Sequence, residues 1–384
     1  MGYWCWERDD WGNWHTDHLK ASDSYIAAQR SISNVKAISA LISDENHIAS
    51  EARLLEEESI KTSLIEGKVL DRASVRASIA KKLGINSVST LETRNVDGLV
   101  ETLTDATKNH HQPLTNERLH RWQASLFPTG RDERGYPLEV GQYRTSILPM
   151  KVVTIHGPKE TLHYFAPPSE LVENEMNTFI DWFNKTSDAP NFLRAAIASY
   201  WFVSIHPFED GNGRLSRTIA DMAIAQSESS PYRLYSMSET LKSNAKFSNG
   251  YYESLEACQR GEKSIDAWVL FFLDTLSESA HKAEALLGDI LTKTTFWDSC
   301  RNIPMNDRQS KFINWALDKG NEFEGHIKRQ RYKKIVGGIS DATAKRDLLD
   351  LVGKEVLVPI ETTGRNAGYQ INNISSTRLK INKY

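Results

Sequence analysis

Apolar residues recur at three- and four-residue spacing over most of this chain, and strand-like runs interrupt that rhythm in only two places. From His18 to about Leu83 the stripe runs Ile26, Ile32, Val35, Ile38, Leu41 and Ile42, then Ile48, Leu54, Leu55, Ile60, Leu64 and Ile65, which predicts a helical bundle. Glu56-Glu57-Glu58 is expected to be a solvated face of it. Further helices are predicted over Leu114 to Phe127, 169–185, 190–205 (Pro190 suiting the first turn), Met237 to Leu255 and Ile265 to Leu286, with 282–300 as a connector. The first strand-like place is Val152 to Ile155 and Thr161 to Phe165 around the turn His156-Gly157-Pro158, a hairpin that Pro167-Pro168 stops from growing. The second lies in the tail. There, helices over Asp307 to Leu317 (closed by Gly320), Ile327 to Val336 and Asp341 to Leu351 (capped by Ser340) precede two short strands, Val356 to Val358 and Tyr369 to Ile371, around Thr362 to Arg365. The predicted fold class is mainly α.

Composition changes this picture little. With 47 Lys+Arg against 50 Asp+Glu, the chain has no global charge that argues for nucleic acid or membrane. Cys5, Cys258 and Cys300 are too few and too scattered for a disulfide framework or a zinc site. No apolar run approaches the ~18 residues of a membrane helix, and Met1-Gly2-Tyr3-Trp4 lacks the basic start and apolar core of a secretory signal. A soluble, cytoplasmic chain without membrane contact is expected. Trp4, Trp6, Trp11 and Trp14 are accompanied by acids rather than bases, so they are expected to be aromatic anchors for the N-terminal arm.

Candidate chemistry concentrates in twelve residues, His206-Pro207-Phe208-Glu209-Asp210-Gly211-Asn212-Gly213-Arg214-Leu215-Ser216-Arg217. Apolar runs flank them, which predicts helix, tight loop, helix. Such a loop leaves backbone N–H groups free at the positive end of the second helix, an anion site. Gly211 and Gly213 permit close backbone approach, Asn212 is placed to be the N-cap, and Arg214 and Arg217 share a helix face. This is equipment for a polyphosphate.

The stretch resembles the signature of the Fic (filamentation induced by cAMP) family, His-Pro-Phe-x-(Asp/Glu)-Gly-Asn-Gly-Arg-x-x-Arg, at every specified position. The resemblance implies a protein adenylyltransferase that moves AMP from ATP to a Ser, Thr or Tyr hydroxyl of a target protein, with self-modification and a homodimer as further possibilities. It implies His206 as the base for that hydroxyl, Asp210 as the Mg2+ ligand, and Gly211, Asn212, Gly213, Arg214 and Arg217 as phosphate ligands, with Glu209 solvated. Near Tyr251-Tyr252 family members carry an aromatic by the adenine and, further on, a polar side chain; Tyr251 and Gln259 take those parts. The hairpin corresponds to the family's flap, which clamps the target by strand addition, with Leu162, His163 and Tyr164 as docking residues.

Thr62-Ser63-Leu64-Ile65-Glu66-Gly67 resembles the family's inhibitory motif, (Ser/Thr)-x-x-x-Glu-(Gly/Asn), so Thr62, Glu66 and Gly67 are expected to hold the enzyme off through a Glu66–Arg217 pair. The same glutamate could instead serve removal of AMP. The tail resembles a winged helix-turn-helix. Recognition of DNA would use Thr343, Lys345 and Arg346, but Asp341, Asp347 and Asp350 share their helix, and winged helices also bind proteins. A DNA-binding regulator with a ligand-sensing Fic core therefore stays as an alternative. Expected boundaries are 1–95 for the Trp-rich helical extension with its inhibitory motif, 96–290 for the Fic core with its β-hairpin flap, and 291–384 for the winged helix-turn-helix.

Overall fold

The computed structural model describes residues 4–85, 94–132, 134–156, 159–186, 192–230, 232–319, 326–360 and 368–372. Pro190, Gly320, the Gly157-Pro158 turn and Thr362 to Arg365 lie outside the described residues. The chain forms two compact units, Met1–Ala37 with Ser43–Glu284, and Ile38–Ile42 with Ala285–Tyr384.

The larger unit is built around two helices, α7 (Phe192–Ile205) and α8 (Asn212–Glu228). Every residue from Leu193 to Ile205 is buried, which explains why this stretch is apolar all round rather than striped. The loop joining the two helices, 206–211, and the first residues of α8, 212–217, make up the twelve-residue stretch singled out above, so the candidate chemistry sits where two well-buried elements meet. Around the pair lie α1 (Asp23–Ser39), α2 (Asp44–Ile65), α3 (Arg72–Leu83), α4 (Arg94–Lys108), α5 (Asn116–Leu126) and α6 (Ser169–Lys185), then α9 (Met237–Leu241), α10 (Ala245–Gln259) and the start of α11 (Ile265–Ser299).

Three details depart from the sequence pattern. The region Met237 to Leu255 is two helices, because the Asn244 side chain accepts a hydrogen bond from Phe247 N–H and caps a fresh start. The expected connector over 282–300 is instead the continuation of α11, where Ala283 and Leu287 extend the apolar stripe and no proline interrupts it. Glu58 is not solvated but buried, its carboxylate accepting from Ser236 Oγ (2.7 Å), Ser238 N–H (3.1 Å) and Ser238 Oγ. That bonding meets the requirement on a buried acid and ties α2 to α9.

α2 packs on α3, α4 and α9, and Leu55 joins Val75, Ile79, Val96, Leu99, Val100 and Leu103 in one apolar cluster. α4 and α5 cross at Gly98, where an added Cβ would run into the Ser125 carbonyl oxygen. Gly98→Ala is therefore expected to destabilise the chain by about 1–3 kcal/mol through overpacking; the check is a lower urea midpoint at unchanged m-value.

The N-terminal arm straps the same unit. Trp11 and Trp14 meet Trp201 edge-on, and Trp6 Nε1 donates to the Phe165 carbonyl at 2.8 Å. The hairpin is β1 (Lys151–His156) and β2 (Lys159–Phe165), antiparallel, with a register shift at Val152/Val153.

In the smaller unit, α12 (Asp307–Lys319), α13 (Arg329–Val336) and α14 (Asp341–Gly353) enclose Phe312, Ile313, Tyr332, Leu348 and Leu351. Strands β3 (Leu357–Pro359) and β4 (Tyr369–Ile371) close it, and Ile327 pairs with Tyr369 through both backbone groups (2.8 and 3.0 Å) instead of beginning α13. Among the described residues no helix is long and apolar enough to cross a membrane.

Candidate active site

α7 ends at His206 in a left-handed conformation, φ +53°, uncommon for a residue with a Cβ. Tertiary bonds hold it there. The His206 carbonyl accepts from Arg144 Nε at 2.8 Å, and Arg144 N–H donates to the Pro207 carbonyl at 2.9 Å. Phe208 is buried against Tyr143 and Phe202. His206 Nδ1 lies 3.1 Å from the Val203 carbonyl. A carbonyl can only accept, so the proton is on Nδ1 and Nε2 keeps its lone pair. Burial pushes the imidazole pKa down to about 4, the Val203 bond opposing and the nearby Arg144 charge assisting. At neutral pH the ring is uncharged and basic at Nε2.

The loop then closes on itself. Gly211, at φ +92°, is the N-cap of α8. The expected N-cap, Asn212, is instead the first helical residue. Its Oδ1 accepts from Phe208 N–H (3.0 Å) and its Nδ2 donates to the Phe208 carbonyl (2.7 Å). With the side chain committed to the loop, what Asn212 offers an anion is its backbone N–H. The Asn212 and Gly213 N–H groups in this first turn have no acceptor among the described residues. Glu209 is half-buried, and its Oε2 accepts from Glu139 N–H at 2.7 Å.

The Asp210 carboxylate is 40% exposed, with Lys68 Nζ at 3.8 Å and Arg214 Nη2 at 3.9 Å. Arg214 is buried with its guanidinium over the Phe127 ring. Arg217 is buried and points at the end of α2. Its Nε donates to Thr62 Oγ1 (2.8 Å), and its Nη2 to the Thr62 carbonyl (3.0 Å) and Glu66 Oε1 (2.7 Å). Burial works against the Arg217 charge, but the Glu66 carboxylate and the Tyr251 hydroxyl together more than offset it and raise the pKa.

Glu66 reaches this position because α2 ends in a Schellman turn. Gly67, at φ +80°, donates to the Leu64 carbonyl, and Lys68 N–H to the Ser63 carbonyl. The carboxylate lies so close to Gly213 that a Cβ there would run into Glu66 Oε1. The α8 N-terminus thus already holds an anion, supplied by the chain itself.

Three sequence-predicted residues stand elsewhere than expected. Tyr251 is on the inner face of α10, its ring against Trp268 and its hydroxyl 3.3 Å from Arg217 Nη1, so it buttresses the arginine instead of offering a face to an adenine. Gln259, on the same buried face, donates to Ser204 Oγ at 3.0 Å. Tyr164 is fully buried, its hydroxyl donating to the Ser204 carbonyl at 2.8 Å, so it anchors the hairpin and docks nothing. Tyr164 and Gln259 converge on Ser204, two residues before His206, and hold the end of α7. His163 bridges Thr154 Oγ1 (2.7 Å) and Glu256 Oε2 (2.8 Å). Leu162 is half-buried, and its carbonyl accepts from Arg260 Nη2.

Sequence reasoning missed Arg144, Lys68 and Tyr252, whose hydroxyl donates to the Ile65 carbonyl at 2.9 Å. No local signal marks the first two; Tyr252 adjoins a residue that was singled out. Among the described residues no cluster of three or more His, Cys, Asp or Glu side chains could by itself hold a metal ion.

The Fic/DOC family model matches residues 113–224, spanning the hairpin, α7, the loop and most of α8. Over those residues the chain is similar to that family. Residues 4–85 match a second model, described as a domain of unknown function (DUF4172), which covers the Trp-rich arm and the helix bearing Glu66. The chain is 32% identical over 164 residues to the protein adenylyltransferase Fic of Nematostella vectensis, covering 41% of this chain and 34% of that protein. It is 27% identical over 208 residues to protein adenylyltransferase fic-1 of Caenorhabditis briggsae, covering 52% and 36%. The chain thus spans about a third of the length of the curated relatives it matches. A solved Fic family protein from Desulfovibrio desulfuricans G20 shares the fold over 90% of this chain and 95% of its own, at 18% identity and TM-score 0.50.

Proposed function

We propose that the protein is a protein adenylyltransferase whose own Glu66 holds its nucleotide site closed. The observation that carries this reading is the carboxylate seated at the α8 N-terminus and bonded to Arg217, beside a neutral imidazole with a free Nε2. Relatives named protein adenylyltransferase support the choice of AMP as the transferred group.

In this reading the phosphates of ATP lie on the Asn212 and Gly213 N–H groups, with Arg214 and Arg217 as cationic partners that suit phosphate geometry. The target's hydroxyl is held beside the β1–β2 hairpin. His206 Nε2 takes the hydroxyl proton as the oxygen bonds to the α-phosphorus. The bond from that phosphorus to the bridging oxygen breaks and pyrophosphate leaves, so positioning does much of the catalysis. Arg144 keeps the histidine in its left-handed turn through the reaction.

Asp210 fits a magnesium site. It is a single half-exposed carboxylate, and Mg2+ is commonly held by one or two carboxylates together with substrate phosphates. When bound, the ion would neutralise phosphate charge. Lys68 Nζ now stands near that carboxylate, 3.8 Å away. Lys68→Met is expected to lower the Mg2+ concentration needed for half-maximal ATP binding by roughly two- to fivefold, the range of a partly exposed ion pair. Calorimetric titration of ATP at several Mg2+ concentrations measures it, and an unchanged requirement would remove Lys68 from the site.

The experiment that tests the function is incubation of the Glu66→Gly protein with α-labelled ATP, Mg2+ and cell lysate. Label on this chain or on a target, lost with His206→Ala, supports AMP transfer. Release of AMP from an already modified protein by wild-type, but not by Glu66→Gly, would favour AMP removal instead.

A further inference from the structure

The smaller unit carries a helix pair that the nucleotide site does not use. α13 and α14 are joined by Gly337-Gly338-Ile339, with both glycines at positive φ (+77° and +65°), and Ser340 Oγ caps α14 by accepting from Thr343 N–H at 3.1 Å. Two helices joined by so short a glycine-bearing turn form a helix-turn-helix. β3 and β4 follow α14, and Ile327 clips the chain entering α13 onto β4.

α14 has two distinct faces. Ala344, Asp347, Leu348 and Leu351 are buried, and Ala342, Lys345, Arg346 and Leu349 are exposed, each set at helical spacing. The three aspartates that counted against nucleic acid do not oppose it. Asp347 is buried and accepts from Arg308 (2.8 and 3.1 Å) and Tyr332 (3.1 Å). Asp350 is bonded to Gln309 (2.8 Å) and Lys354 (2.5 Å), and Asp341 is paired with Lys333 at 2.5 Å. The outer face is left with two cations, one small residue and one apolar residue, and exposed Arg329 and Lys334 lie on the neighbouring α13.

Charge is distributed to match. The unit's residues, 38–42 and 285–384, contain 17 Lys+Arg and 11 Asp+Glu, net +6, in a chain of net −3, so the remaining 279 residues carry −9. A polyanion would be attracted to this unit and repelled by the rest.

We propose that this unit binds double-stranded DNA, with α14 in the major groove, Lys345 and Arg346 at base edges, and Arg329 and Lys334 on phosphates. An arginine reaching a guanine edge is a common specific contact, Ala342 lets the helix approach closely, and Leu349 can meet a thymine methyl.

The test uses the full chain and a fluorescent 25-base-pair random-sequence duplex, with anisotropy read between 50 and 200 mM salt. Saturable binding that weakens with salt is expected, the logarithmic slope growing by about 0.9 for each phosphate neutralised. The double substitution Lys345→Ala with Arg346→Ala should weaken binding at least tenfold and flatten the slope. Both side chains are exposed, so its thermal unfolding should match wild-type. Arg301→Ala, an exposed arginine paired with Asp298 in the same unit, should bind as wild-type does. Selection from a random pool should enrich a sequence with the wild-type chain, and Arg346→Ala should lose that preference. No saturable binding at 50 mM salt, binding indifferent to the double substitution, or equal loss with Arg301→Ala would each overturn the proposal. So would a double substitution that altered only self-association, which would make this face a protein interface.

Discussion

In a Glu66→Gly background, replacing His206 by alanine is expected to lower AMP transfer from ATP by roughly 10²–10⁴-fold, the usual worth of a positioned general base. Nucleotide affinity should hardly change, because the phosphates are assigned to the α8 N-terminus and the arginines; the loss should appear in kcat. The pH dependence adds a second readout. An unperturbed histidine titrates near 6.5, but burial holds this one down to about 4. The active form is the neutral one, so the acid limb of kcat/KM should lie more than a unit below 6.5. Removing Glu66, whose charge favours the imidazolium, moves it no higher. An acid limb at 6.5, or transfer intact in His206→Ala, would exclude this histidine as the base. Stability follows the same sign: between those two values the unfolded chain binds a proton that the folded chain refuses, so this group's contribution is lost as pH falls.

The Glu66→Gly substitution itself should raise AMP transfer by up to about 10²-fold, since moving a population from 1:99 to 99:1 takes about 5.5 kcal/mol. Breaking a fully buried ion pair costs about 3–5 kcal/mol. Glu66 is about a third exposed, so the lower part of that range, or less, applies. The apo protein should accordingly lose stability, because Arg217 stays buried with Thr62 and Tyr251 as its remaining hydrogen-bond partners among the described residues. ATP with Mg2+ should restore it, by about 2.7 kcal/mol at one hundred times Kd. Thermal unfolding with and without nucleotide separates the cases. A variant that is destabilised, rescued by nucleotide and more active behaves as an enzyme whose brake has been removed. A variant as stable and as inactive as wild-type would leave the Glu66–Arg217 bond without a regulatory part.

The sequence by itself determined the helical character of the chain, the hairpin, and the dense site loop. These follow from periodicity and from residue types that act locally: glycines that permit unusual φ at 67 and 211, and apolar runs that bury α7 and most of α8. It also brought Glu66 and Arg217 under one hypothesis across 151 residues, through a resemblance rather than through spacing. Tertiary structure decided which way side chains face. Tyr251, Gln259 and Tyr164 are chemically suited to a ligand, yet each falls on the inner face of its element and spends its polar atom on a buried partner. Asn212 lost the cap to Gly211 because its amide closes the loop on Phe208. The left-handed turn at His206 depends on Arg144, 62 residues away, and the protonation of its ring depends on burial that no one-dimensional pattern encodes. Periodicity tells an element which face is apolar. Which polar group finds which partner is settled only when elements distant in sequence meet, because a buried hydrogen bond is won by proximity in space.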